Sequence, residues 1–175
     1  MILWTIQTKK FWDNAQGKSI LKADRRYVWK AFKRPYAWMH EQMCERICPS
    51  DNGILWAWYQ YISEDKRKPW LSKSGHLKTG TEGVLIEFDV SKNEVLLSDF
   101  ENWHFPLNNW YLGDCRKMDR LLDAYPDKNY PDDVQMHIED SWNRIFKTRK
   151  NEPTQATLWS VDVSKIRAVT EFIAR

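Results

Sequence analysis

With 175 residues the chain fits one domain built on a single substantial core, and no second domain is expected. No stretch reaches the roughly 18 apolar residues of a membrane-spanning helix, the opening MILWTIQTKK lacks the layout of a secretory signal, and 3 Cys are an odd number for a disulfide framework, so a cytoplasmic protein with reduced thiols and no membrane partner is expected. The formal net charge of +3 divides unevenly: residues 1–80 carry 15 Lys and Arg against 7 Asp and Glu, residues 81–175 carry 12 against 17, and the basic half suits either an anionic partner, such as a nucleotide or nucleic acid, or a solvated surface.

Residues 2–7, ILWTIQ, combine branched and aromatic side chains in the manner of a first strand. KKFWDNAQGKSIL reads as a short helix that stops near Gly17. From Asp24 the spacing of Val28 and Phe32 predicts another helix, with Arg26, Lys30 and Lys33 or Arg34 along its other side. Pro35 either breaks that helix or opens a second, PYAWMHEQMCERIC, at its first turn, and the pair carries one basic face. ILWAWYQY (54–61) has the length and continuous apolarity of a central strand. The polar stretch that follows, ISEDKRKPWLSKSGHLKTGTEG, is a loop of a length that is usually functional or disordered.

GVLIEFDV alternates Val84, Ile86, Phe88 and Val90 on one face as a strand, SKNE turns it, and VLL (95–97) continues the sheet. Ser98 or Asp99 then caps a short helix. PDDVQMHIEDSWNRIF puts Pro131 at a helical start, acids in the first turn, and Val134, Ile138, Trp142 and Ile145 on one stripe. QATLWSVDVSKIRAVTEF closes the chain as strand, turn and strand. Without regular alternation of strand and helix, these elements predict a single α+β domain over residues 1–175, a mostly antiparallel sheet with flanking helices.

The 11 Trp call for large flat surfaces, in the core or around a flat ligand. In LLSDFENWHFPLNNWYL (96–112), Asp99, His104, Asn108 and Asn109 follow a strand end, and Trp103 and Trp110 supply flat walls, so amides could read a base edge while indoles stack on its face. The other reading is an irregular turn around Pro106 whose side chains satisfy the backbone. On the long loop, Lys66, Arg67, Lys68, Lys73 and Lys78 suit phosphates and Trp70 suits an unpaired base, or the segment is a solvated lid. His40, Cys44 and Cys48 fall on successive turns of a helix with no close Cys pair, which favours packing over a metal site; no metal is expected. Nucleophile-elbow, P-loop and dinucleotide fingerprints do not occur in the sequence.

Taken together, LWTIQ, AWMHEQM, LWAWYQY, GVLIEFDV with VLLSDFENWHFPLN, and QATLWSVDVSKIRAV resemble, nearly end to end, a family of short bacterial proteins described as a domain of unknown function. More distantly, a first strand ending in a polar residue, a helix with a Gly-containing stop and a last strand QATLWSVDV resemble the ADP-ribosyltransferase superfamily. That resemblance implies NAD, or another nucleotide, held between the first and last strands and the 98–110 segment, and possible modification of a nucleic acid or protein. The position that grips NAD falls on Thr5 or Gln7, and the glutamate of the last strand falls on Gln155, with Thr157 on the same face and Glu152 as the nearby carboxylate. Gln155 can hydrogen-bond a ribose hydroxyl but offers no anion to a developing positive charge. Two other classes fit the same residues: a non-catalytic nucleic-acid-binding module using the basic helices and the 66–78 loop, and an interaction protein of a defence or toxin system whose aromatic surface meets another protein.

Overall fold

The structure, a computed structural model, describes residues 1–71, 75–113 and 115–175. Strand β1 (Ile2–Thr8) runs straight into helix α1 (Lys9–Ala15), capped by the Thr8 hydroxyl, which accepts from the Phe11 amide. Gly17, at φ +81°, takes the left-handed turn that ends this helix. A two-residue strand β2 (Ile20–Leu21), two 3-10 turns (Arg25–Tyr27 and Lys30–Phe32) and helix α2 (Lys33–Arg46) follow. Next come β3 (Leu55–Gln60), β4 (Glu82–Asp89), β5 (Leu96–Asp99), α3 (Phe100–Leu107), α4 (Arg116–Leu122) and α5 (Asp132–Trp142). The chain closes with β6 (Thr154–Leu158), β7 (Val161–Asp162) and β8 (Ile166–Ile173).

β1, β3, β4, β5, β6 and β8 form one antiparallel sheet in the order β5-β6-β3-β1-β4-β8, and β2 pairs with β7 as a separate ribbon. Side-chain alternation along the strands divides the core between the two faces. One face gathers Leu3, Ala57, Val84, Ile86, Phe88, Ala156 and Leu158 against α1 and the ribbon residues Leu21 and Val161. On the other, Trp4, Trp58 and Leu85 pack with Tyr61, Leu71 and Phe100. Nearer β5 and β6, the same face packs Trp56, Leu96 and Trp159 against α2, α3 and α5, through Met39, Met43, Trp103, Ile138 and Trp142. Three of the buried indoles have acceptors: Trp142 donates to the Trp110 carbonyl at 2.7 Å, Trp159 to that of Cys48 at 3.0 Å, and Trp4 to the Glu87 carboxylate at 2.9 Å, while the Trp56 indole nitrogen is buried without one among the described residues.

The predicted α+β class, antiparallel sheet and flanking helices are present. One local expectation changes. The helix expected from Asp24 is instead the pair of 3-10 turns, interrupted by extended Val28 and Trp29. Tyr27 and Trp29 point to solvent there, so no apolar stripe is buried to hold a helix, and Asp24 spends its carboxylate on the Arg26 amide and guanidinium. The basic helix pair is therefore one helix preceded by a cationic turn. The closing strand, turn and strand are present as β6 and β8, which lie in different parts of the sheet and are linked through the β2–β7 ribbon. Helix α4, which the sequence reading did not anticipate, covers Met118 against the α5 cluster.

Trp142 is fully buried, whereas Trp29 is 72% exposed. Trp142→Ala should cost about 3–5 kcal/mol of stability as a large-to-small core change, and Trp29→Ala less than about 1 kcal/mol as a surface change. Urea unfolding midpoints of the two variants measure the contrast; equal losses would contradict this packing.

Candidate functional site

Gln155 lies opposite Trp58 on one side and Ser98 on the other, and Trp58 lies opposite Trp4. Directly opposed residues share a face, so Gln155 sits on the Trp4 face of the sheet. Thr5 and Gln7 cannot be on that face in a regular strand: Thr5 lies opposite Ile86 and Gln7 opposite Val84, both on the α1 side. β3 intervenes between β1 and β6, and Gln7 lies three residues beyond the Trp4 level, about 10 Å along the strand. The structure thus does not bring Gln155 and Thr157 into a common cleft with Thr5 and Gln7. Thr157 is fully buried, its hydroxyl donating to the Leu96 carbonyl at 3.3 Å. Gln155 Oε1 and Ser98 Oγ are buried without protein partners. Glu152 is exposed in the turn before β6, where its carbonyl accepts from Gln60 and Thr154.

Within the 98–110 segment, Phe100 and Glu101 border a cavity shared with Trp58 and His76, while the polar side chains predicted as ligand contacts make hydrogen bonds inside the fold. Asp99 caps α3 by accepting from the Asn102 amide at 2.9 Å. Trp103 is buried, with its ring centroid 5.0 Å from that of Trp56 and 6.2 Å from that of Tyr36. His104 uses Nδ1 on the Phe100 and Glu101 carbonyls, and Asn108 donates to the His104 carbonyl at 2.8 Å. Asn109, at φ 53°, exchanges two hydrogen bonds with the Gln135 amide group.

The basic loop is likewise mixed in role. Arg67 is a strut, its guanidinium donating to the Tyr59 and Ile2 carbonyls and lying 4.5 Å from the Tyr59 ring centroid. Lys66 sits 5.5 Å above the Trp70 ring, Lys68 lies 3.8 Å from Glu87, and Lys73 falls outside the described residues. Trp58, Tyr61, Trp70, His76, Phe100 and Glu101 border a cavity of about 530 Å³ beside this loop. Burial pushes the His76 imidazole below its usual range, which favours its neutral form.

A different site emerges at the other end of β3. β1 and β3 pair only at Trp4 and Trp58; beyond that, the Thr5 hydroxyl donates to the Trp56 carbonyl at 2.7 Å and the strands part. The gap they leave, about 630 Å³, is lined by Gln7 on β1, Lys10 and Asn14 on α1, Ile54 to Trp56 around the start of β3, and Tyr27, Trp29, Phe32 and Tyr36. Tyr27 is 81% exposed, and Trp29 stacks on Phe32 at 5.9 Å and 12°. Gln7 Nε2 donates to Thr5 at 2.8 Å. Burial raises the Tyr36 phenol above its ordinary range, so it stays a hydroxyl donor at neutral pH. Sequence reasoning passed over Tyr27, Trp29, Phe32, Lys10 and Asn14; the signal available was RRYVWKAFKR, aromatics interleaved with cations. Among the described residues, no group of three or more His, Cys, Asp or Glu side chains is placed to hold a metal ion.

With this geometry in place, comparison with protein families matches residues 2–167 to the family described as Domain of unknown function (DUF3841). The chain belongs to this family. No curated protein and no solved structure matches it. Within this member of the family, no helix among the described residues is long and apolar enough to cross a membrane.

Asp24, on the rim of the groove, titrates far below an ordinary carboxylate, at about 2, because Arg26 donates side-chain and backbone hydrogen bonds to it. A depressed carboxyl helps the fold while ionised, so this clasp is complete above the usual value of 3.8 and is lost as pH falls toward 2. Carboxyl NMR titration should place the Asp24 midpoint near 2, and Arg26→Ala should move it upward. A midpoint at 3.8 in the unmodified chain would show that the clasp does not form in solution.

Proposed function

We propose that this chain binds nucleotides, free or unpaired within a single strand, in the groove between the ends of β1 and β3. The observation that carries the reading is the pair of exposed rings, Tyr27 and Trp29, beside a groove that holds Lys10, Asn14 and Gln7. Exposed indole and phenol faces are stacking platforms for any base. Lys22, Arg25, Lys30 and Lys33 flank them in sequence, and none is in an ion pair among the described residues, which leaves their charge to attract phosphates. Arg26 contributes less, being clasped to Asp24.

NAD belongs to the same ligand class, and Gln7 on the groove floor is one of the two positions where the ADP-ribosyltransferase resemblance puts a nucleotide contact. Transfer chemistry asks for more than binding. It needs a hydrogen-bonding or anionic group beside the ribose, and neither Gln155 nor Glu152 is among the residues that line this groove. The proposal therefore stops at binding, and the Lys66–Trp70 loop enters it as a second contact for a longer strand.

Titration with NAD and with a fluorescent single-stranded oligonucleotide at low salt provides the test. Trp29→Ala should weaken oligonucleotide binding about 5- to 100-fold, the scale of one lost base stack, while the melting temperature stays within a few degrees. Neutralising Lys30 and Lys33 should flatten the salt dependence. If the unmodified chain binds neither probe, the exposed rings belong to a protein partner instead.

A further inference from the structure

A second, smaller recess adjoins the groove. Its volume is about 200 Å³, and Arg25, Val28, Lys33, Tyr36, Ala37, His40 and Ile54 line it. Val28, Tyr36 and Ile54 line the groove as well, so the two spaces share a wall. The recess is smaller than the roughly 300–1,000 Å³ that encloses a whole small molecule, which suits it to one group of a ligand. Its chemistry is one-sided. Two cationic residues and a tyrosine are among its lining residues, no carboxylate is, and neither Arg25 nor Lys33 is in an ion pair among the described residues. Asp24, the nearest acid in sequence, is already engaged by Arg26.

His40 forms part of the wall. Its Nδ1 lies 3.7 Å from the Cys44 sulfur, its ring meets Trp159 edge-on at 4.8 Å, and Nε2 is buried with no partner. In the tautomer in which the thiol donates to Nδ1, Nε2 carries the proton and has nothing to give it to. A buried donor left this way asks for an explanation. An anion drawn in by Arg25 and Lys33 would bring an acceptor to the wall that His40 forms.

We infer that this recess is a phosphate subsite, which takes the terminal phosphomonoester of a nucleotide whose base lies on Tyr27 and Trp29. The inference rests on the groove being a nucleotide site. A terminal phosphate fits better than an internal one, because its second negative charge meets two cations that have no other ion pair among the described residues. Arg25 supplies a planar fork of donors, Lys33 a point charge and Tyr36 a neutral donor, the usual complement for a dianionic group.

The experiment compares three forms of one labelled hexadeoxyadenylate: a 5′-phosphate, a 3′-phosphate, and hydroxyls at both ends. One phosphorylated form should bind at least about tenfold tighter than the hydroxyl form, the scale of added charge-assisted hydrogen bonds. The preference should vanish in the Arg25→Ala, Lys33→Ala double variant and shrink in Tyr36→Phe, which keeps the ring. Both cations are exposed, so thermal melting of the double variant should match the parent. Inorganic phosphate should compete with the phosphorylated form only. Equal binding of all three forms, with Trp29→Ala still weakening each, would overturn the subsite and leave the groove standing. Binding of none of them would remove the groove reading and the subsite with it.

Discussion

A single hydroxyl decides where this sheet opens. β1 is zipped to β4 along its whole length, from Ile2 opposite Asp89 to Thr8 opposite Gly83, but it meets β3 at one residue pair. Past that pair, the fully buried Thr5 side chain takes over the role of a backbone ladder bond by donating to the Trp56 carbonyl. Had the ladder continued, the β1 end would lie flush against the start of β3 and no space would remain. The divergence instead leaves a gap whose floor is polar at Gln7 and whose walls are aromatic, and the 23–36 segment crosses over it.

Tryptophan usage follows the same division. Trp4, Trp38, Trp58, Trp103, Trp142 and Trp159 are buried, and those whose indole donors are hydrogen-bonded tie the helical layer to the sheet and to the loops around it. Trp70 and Trp110 are exposed, and Trp29 more so than either, stacked on Phe32 and open to water on a turn rich in cations. The acids of the second half do little to neutralise that turn: Arg34 is held by Glu139 at 2.7 Å, but the cations nearest the groove are not so held among the described residues. The charge asymmetry seen along the sequence thus survives folding as a local basic surface beside exposed rings.

Much of the architecture was legible because local rules and burial agree. Val84, Ile86 and Phe88 alternate and are all buried on one face, Pro131 and two acids open α5, and Asp99 is the cap of α3. The turn at residues 24–34 was misread as helical since Val28 and Phe32 carry a four-residue spacing, yet neither joins a buried stripe. Spacing alone cannot tell a side chain that packs from one left outside. The 98–110 segment holds two roles that its sequence does not separate: its Asn, His and Asp side chains bond within α3 and to Gln135, while Phe100 and Glu101 border a cavity. Nor could strand order be read from the chain, because β6 joins β3 and β5 through pairings that no short-range pattern encodes. That order is what separates Gln155 from Gln7.

The position of β6 also sets a schedule for the chain. β3 and β5 are not bonded to each other; each is bonded to β6, through pairs such as Ala57 with Ala156 and Leu97 with Ala156. Until residues 154–158 are available, the edge of β3 has no partner on that side and β5 has no sheet to join. Closing such long loops is the slow step in forming a sheet. A ribosome making this chain therefore has to release it through residue 158 before β3 and β5 can be joined, and the exposed edge of β3, carrying Trp56 and Trp58, is the surface that a chaperone would have to shield in the interval.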